Sequence, residues 1–401
     1  MSALFAQVPL APRDPILGLN EAFAADPRTT KVNLGVGVYY DDSGKIPLLS
    51  CVQQAETKRV AASQPRGYQP IEGPARYTQA VQTLLFGADS PLLATKRVVT
   101  AQGLGGTGAL RIGAELLYRI NPNVPVLISS PSWENHRGIF EAAGFAVREY
   151  RYFDAATGGV DLSGLIADLE AAPAGSIVVL HACCHNPTGA DLTPEAWLKV
   201  AEIARDRQLV PFLDMAYQGF AEGIDADAAA IAVMSAIGIP FFIASSFSKN
   251  FSLYGERVGA LSIVTDDADE AARVLSQLKR IIRTNYSNPP THGAMLVADV
   301  LTDPLLAAKW HEELAAMRER IRAMRLGLRE RLEAMVPGRD FAYVTNQRGM
   351  FSYTGLTSEQ VERLQRDFAI YAVRSGRICV AALNSRNLDY VAEAMATVLR
   401  S

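Results

Sequence analysis

The chain is poor in cysteine, in surplus charge and in long apolar runs. Only four cysteines occur in 401 residues: Cys51, Cys183, Cys184 and Cys379. Two of them are adjacent, which suits neither a disulfide framework nor the spaced pairs of a structural zinc site. They read as reduced thiols of a cytoplasmic protein. The net charge is −3, which gives no general hold on nucleic acid or on an anionic membrane. No stretch approaches the roughly 18 apolar residues of a membrane span. The opening "MSALFAQVPLAPRDPILG" lacks a basic region leading into an apolar core, so it does not read as a signal peptide. No repeat, low-complexity tract or linker stands out. What remains is a composition 49% hydrophobic and 20% charged, ordinary for a soluble globular protein.

The middle of the chain alternates short apolar runs with amphipathic segments. "RVVTAQ" precedes a Gly-rich turn and "ALRIGAELLYRI". "PVLISS" follows, and "SIVVLHAC" precedes "TPEAWLKVAEIARDRQ". "LVPFLD" precedes "AAAIAVMSAIG", and "PFFIASS" closes the series. This order predicts an α/β fold with a mostly parallel central sheet flanked by helices. From 305 to 335 one long helix is expected, because Leu314, Met317, Ile321, Met324, Leu328, Leu332 and Met335 recur at three and four residues. Its arginine-rich part, "RERIRAMRLGLRER", contains glutamates as well and reads as a solvated face, not a nucleic-acid site. Beyond it come a strand in "GMFSYTGL" and a helix over "TSEQVERLQRDFAIY" with Thr357 and Gln360 spaced as a capping box. A strand over "RICVAAL" and a last helix over "LDYVAEAMATVLR" complete the chain. The expected division is a large α/β domain over 46–310. Residues 1–45 and 311–401 form a smaller α+β domain that includes the long helix.

In an open parallel sheet, ligands bind beyond the carboxyl ends of the strands. Three such ends deliver different functional groups: Asn186, Asp214 and Lys249. Lys249 stands in "SSFSKNF", directly after a nonpolar strand. "GLGGTGAL", residues 103–110, follows another strand and opens a helix, where backbone amides can approach an anion. The stretch matches G-x-G-x-x-G, but the next strand ends in serines, not in the acidic residue that a ribose needs. Phosphate binding is therefore favoured over a dinucleotide and over a nicotinamide-dependent oxidoreductase. Ser246 to Lys249 also fits S-x-x-K, yet the S-D-N and K-T-G partners of that acyl-enzyme class are absent. A buried lysine forms Schiff bases with aldehydes, and a carboxylate such as Asp214 can keep a pyridine nitrogen protonated. Together with a phosphate cradle to which Ser246 and Arg257 could contribute, this is the protein side of pyridoxal phosphate chemistry.

The set "YQPIEG", "GGTGAL", "PSWENH", "HNPTG", "DMAYQGF", "SFSKNFSLYGERVG", "YSNPP", "GMFSYTGL" and "GRICVAALN" resembles the aspartate and aromatic amino acid aminotransferases, which are fold-type I enzymes of pyridoxal 5′-phosphate. The likeness runs from about residue 13 to the C-terminus. It implies that Lys249 holds the cofactor covalently and then shuttles the substrate proton. Asp214 would bind the ring nitrogen, Tyr217 and Asn186 the ring O3′, and Trp133 would stack on the ring. Gly106, Thr107, Ser246 and Arg257 would hold the phosphate. Arg377 would grip the substrate α-carboxylate, with Gly37, Trp133 and Asn186 against the substrate. Tyr68 and Arg283 would reach the neighbouring active site of a homodimer, Tyr68 to the phosphate and Arg283 to a distal carboxylate. His136, His181 and His185 would play supporting parts.

The resemblance also bears on substrate choice. Many aspartate-preferring members carry lysine and threonine where this chain has Tyr40 and Ile46. "VYY", "LLFGAD", "WENH" and "SLYGERVG" look most like the tyrosine branch, whereas Thr107 and Asn288 look like the aspartate branch. The expectation is transfer from tyrosine, phenylalanine and aspartate to 2-oxoglutarate by a ping-pong mechanism. The alternative is an aspartate aminotransferase with minor aromatic activity.

Overall fold

The computed structural model describes residues 4–11 and 15–400. The assignment of residues 1–3, 12–14 and 401 to the smaller domain, and the start of the resemblance near residue 13, lie outside them. Among the described residues the largest sheet has seven strands. Their order is Val98–Leu104, Val258–Val264, Phe241–Ser246, Val210–Met215, Ile177–His181, Val126–Ser130, Val147–Arg151. Val258–Val264 runs against both neighbours, and every other pairing is parallel. The expected mostly parallel sheet is therefore present.

The apolar runs form strands because both faces of the sheet are covered. Phe241–Ser246 and Ile177–His181 are buried at every position. Successive residues feed opposite sides, as the pleat requires. Ile177 and Val179 join one apolar core with Leu110 and Leu278, while Val178 and Leu180 join another with Trp197 and Val200. Two strands of this sheet escaped the sequence reading. Val147–Arg151 is an edge strand, "VREYR", with one buried residue, so it carries no apolar run. Val258–Val264 is fully buried, but its glycine and serine interrupt the pattern. Gly259 has to be a glycine, because a Cβ there would fall 2.4 Å from the Gly105 carbonyl carbon and 2.7 Å from Ser245 O.

The long helix spans Pro304–Met335, with Asp303 capping the Leu305 and Leu306 amides. Its expected stripe is buried at Leu314, Met317, Ile321, Leu328 and Leu332. Two positions, Met324 and Met335, depart from the expectation in being only partly buried. Arg325, not Met324, continues the stripe, and it is 3% exposed. Its guanidinium donates to Val344 O at 2.8 Å, Gly349 O at 2.8 Å, Arg348 O at 3.2 Å, and to Phe351 O. Arg318, Arg320 and Arg322 likewise donate to backbone carbonyls of distant segments. The solvated-face reading of this stretch is corrected: these arginines staple loops to the helix. A guanidinium presents five donors in a fixed fork, so it can satisfy carbonyls that no ladder reaches.

Beyond the long helix the elements are shorter than expected. The capping box of Thr357 and Gln360 is present, but that helix ends at Phe368. Ala369 turns left-handed and frees Ile370–Tyr371 to pair in parallel with Val32–Asn33. "RICVAAL" is a strand only over Arg377–Cys379, paired with Phe351–Tyr353, and then becomes a helical turn. The segment after Val32 is thus laid directly against the strand that carries Arg377. Replacing Arg325 by methionine should destabilise the fold by about 3 kcal/mol, since it leaves the buried carbonyls of Val344, Gly349 and Phe351 without this donor. A fall in the urea midpoint, followed by tryptophan fluorescence, measures this.

Candidate active site

A cavity of about 440 Å³ opens beyond the carboxyl edge of the sheet. Neighbouring strands build its floor. Asp214 lies in register with His181 on one side and Ala244 on the other. Asp214 is 5% exposed and His136 fully buried, and His136 Nε2 sits 2.8 Å from Asp214 Oδ2. A carboxylate can only accept, so Nε2 carries a proton, and Nδ1 faces Ser132 Oγ at 2.9 Å. Burial pushes the Asp214 carboxyl up, but the hydrogen bond from His136, with the Lys249 charge behind it, leaves it below its ordinary value. The cavity therefore has an anionic floor.

Lys249 also lines the cavity, with Nζ 4.7 Å from the centre of the Tyr217 ring. Burial pushes its amine down to about 8; Asp214 opposes this and Arg257 assists it. Facing it is the N-terminus of the helix Gly105–Ile120, which no side chain caps. Gly106 and Thr107, in its first turn, line the cavity with Ser246, Ser248 and Arg257. Arg257 Nη1 donates to Ser248 Oγ at 3.2 Å and to Tyr254 O at 3.1 Å. Gly105 has φ +68°, and a Cβ there would fall 2.5 Å from Arg257 Nη2. Uncapped amides, two hydroxyls and a guanidinium without a carboxylate partner among the described residues make an anion cradle.

Across the cavity stands Arg377, 1% exposed. Nη1 donates to Asn186 Oδ1 at 3.1 Å and Nη2 to Gly35 O at 2.6 Å, while Nε has no protein partner. The guanidinium lies 4.4 Å from the centre of the Phe351 ring. No carboxylate pairs with it among the described residues. A buried cation in that state is costly unless an anion completes it. Gly37, Trp133 and Tyr217 line the same cavity.

The structure thus brings together Lys249, Asp214, Tyr217, Asn186, Trp133, Gly106, Thr107, Ser246, Arg257, Gly37 and Arg377. It sets four of the sequence-derived residues elsewhere. Tyr40 packs half-buried against the core, and Ile46 is 48% exposed. Tyr68 is 96% exposed, and Arg283 is exposed on the last turn of Ala268–Asn285, donating to Ser287 Oγ. Asn288 Nδ2 donates to Gln69 O at 3.2 Å, which ties the loop of Tyr68 to the turn after Arg283. Ile16, Leu110, Ala216, Ser248, Tyr254 and Phe351 line the cavity without having been singled out. All of these but Ile16 carried a signal, as members of the quoted motifs. His181 lines the cavity as well, and burial drives it and His185 toward the neutral form.

The family described as aminotransferase class I and II matches residues 29–395. The chain belongs to that family. Its relatives in the family divide over substrate. An aspartate aminotransferase of Pseudomonas aeruginosa is 62% identical, over 99% of this chain and all of that protein. An aromatic-amino-acid aminotransferase of Escherichia coli is 52% identical, again over 99% of this chain and all of that protein. Among solved structures, an aromatic-amino-acid aminotransferase from Burkholderia pseudomallei, covalently bound to pyridoxal phosphate, is 64% identical with a TM-score of 0.97. It covers 99% of this chain and 100% of its own.

For this aminotransferase the depressed Lys249 amine has a direct kinetic consequence. The neutral form reacts, so in protein stripped of pyridoxal phosphate, modification of Lys249 by a small acylating reagent should speed up as pH rises through about 8 and level off above it. Surface lysines should keep gaining rate to about 10.4. Peptide mapping of the modified protein at successive pH values gives both profiles.

Proposed function

We propose that the chain is a pyridoxal 5′-phosphate-dependent aminotransferase. It moves the amino group of tyrosine, phenylalanine and aspartate to 2-oxoglutarate by a ping-pong mechanism. The observation that carries this reading is the unpaired, buried Arg377 across one cavity from a depressed lysine, a buried carboxylate and an anion cradle. The residues present fit the cofactor. The uncapped helix start and Arg257 suit a phosphate, and Asp214 suits a protonated ring nitrogen. Buried His181 lines the floor with both ring nitrogens unpartnered by protein.

When bound, the cofactor supplies an aldehyde that condenses with an amine and a pyridinium that draws electrons from the substrate Cα. The protein does the rest. Gly106, Thr107, Ser246 and Arg257 hold the phosphate. Asp214, supported by His136, keeps the ring nitrogen protonated. Tyr217 and Asn186 would hold the ring oxygen, and Trp133 would lie against the ring. Lys249 would anchor the group and would take and return the proton of the substrate Cα. Arg377 fixes the α-carboxylate by a charge-assisted fork, with Gly37 leaving room beside it. The net exchange would turn the donor amino acid into its 2-oxo acid and the acceptor 2-oxo acid into an amino acid.

The division into a large domain over 46–310 and a smaller one over 1–45 and 311–401 accounts for this placement. The first supplies the cofactor side and the second Arg377. The parallel pairing of Val32–Asn33 with Ile370–Tyr371 supports grouping the two ends of the chain. Tyr68 and Arg283 complete the site only in a homodimer, each reaching the neighbouring subunit. Their exposure and the Asn288–Gln69 bond between their loops support that assembly. Four buried free thiols fit a reducing cytoplasm. The described residues include no helix long and apolar enough to cross a membrane.

A second reading, aspartate aminotransferase with minor aromatic activity, is favoured by the name of the Pseudomonas relative. Single-turnover absorbance of the loaded enzyme, without acceptor, separates the two. Loss of the visible band with both phenylalanine and aspartate, faster with phenylalanine, supports the broad reading; a response to aspartate alone supports the second. Replacing Arg283 by leucine should lower kcat/KM for aspartate about a hundredfold, the value of a lost charge-assisted fork, while phenylalanine stays within about threefold. Steady-state kinetics with both donors checks this.

A further inference from the structure

Arg320 lies outside the cavity, on the long helix, yet it holds both segments that form the carboxylate side. Nε donates to Tyr39 Oη at 2.9 Å, Nη1 to Leu383 O at 2.7 Å, and Nη2 to Ala381 O at 2.7 Å and to Tyr40 O. Its guanidinium also lies 4.7 Å from the centre of the Tyr39 ring. No carboxylate pairs with Arg320 among the described residues, so its donors serve these two segments. One is the strap through Gly37 to Tyr40. The other is the turn that follows Arg377.

The two segments touch each other near the cavity through a handful of bonds, one of them the weak donation of Cys379 Sγ to Val38 O at 3.6 Å. Cys379 N donates to Leu34 O at 2.7 Å, and Tyr40 N to Ala381 O at 3.3 Å. Arg377 itself donates to Gly35 O. The strap is too irregular for a ladder, so Tyr40 O and Leu383 O depend on the arginine for donors. Its planar fork fixes their separation in a way that a single ammonium cannot. The helix beneath is anchored by the buried Met317 and Ile321 on either side.

We propose that Arg320 is a positioning residue that sets the distance between the Gly37 strap and Arg377, and so the fit of the substrate α-carboxylate. This rests on the aminotransferase reading and on Arg377 as the carboxylate site. It assigns Arg320 no contact with substrate or cofactor. The cofactor side hangs on the central sheet and meets this wall through Asn186, which accepts from Arg377, and Tyr254, whose hydroxyl accepts from Tyr39 N at 2.9 Å, so it should sense the change far less. Misplacing a binding group by about 1 Å is enough to cost a large rate factor.

The test compares wild type with Arg320→Met, Arg320→Lys and Tyr39→Phe, each loaded with pyridoxal phosphate. Arg320→Met should raise KM for phenylalanine and for 2-oxoglutarate roughly ten- to hundredfold. The dissociation constant for pyridoxal phosphate should stay within about twofold, because Asp214 and the helix start are untouched. Arg320→Lys should fall between, and Tyr39→Phe, which removes one bond, should raise KM only about threefold. Unchanged KM in Arg320→Met overturns the inference, as does a parallel loss of cofactor affinity. If Arg320→Met does not fold, wild-type KM in Arg320→Lys overturns it. A wild-type enzyme that turns over no amino acid overturns the aminotransferase reading and this inference with it.

Discussion

A carboxylate buried at the end of a parallel strand has to be paired, and the pairing of Asp214 with His136 organises the floor of the site. The bond joins the strand Val210–Met215 to the helix Glu134–Ala143, so two separate elements must be in place before the charge is tolerated. With the anion settled, the neighbouring strand can deliver Lys249 close by. Burial and Arg257 depress its amine, while Asp214 keeps the depression moderate. The outcome is an amine near neutrality beside a group able to hold a ring nitrogen protonated. The same sheet edge presents an uncapped helix start suited to an anion. Each feature depends on the one beside it, because all arise at adjoining strand ends.

The opposite wall is made differently. Arg377 comes from a two-strand pairing far along the chain, and its neighbours Gly35 and Gly37 come from near the start. Among the described residues only two-stranded pairings run through this wall. Arginines of the long helix replace the missing ladder by donating to its carbonyls, Arg325 beneath Phe351 and Arg320 beneath Tyr40 and Ala381. A rigid cofactor side and a stapled substrate side suit a reaction in which one group stays bound while amino and oxo acids come and go.

Much of this was legible in the chain. Asn186, Asp214 and Lys249 follow apolar runs, and apolar runs in a parallel sheet place their ends on one edge, so their meeting followed from pattern alone. The capping box at Thr357 is local and was equally readable. Val258–Val264 was not, because its glycine is required by close backbone contact and its serine meets the Thr100 hydroxyl on the next strand, which spacing does not reveal. The arginines were misread for a related reason. An arginine in a helix pattern looks solvated unless the carbonyls it will meet are known, and those lie up to 280 residues away. Tyr68 and Arg283 are placed by the resemblance; within one chain they stand exposed.

The central claim is that Lys249 is the residue that carries the cofactor. The most direct measurement is borohydride treatment of the protein loaded with pyridoxal phosphate, followed by peptide mapping by mass. The account predicts one phosphopyridoxyl group per chain, on the peptide containing Lys249. A group spread over surface lysines, or none on that peptide, would contradict it.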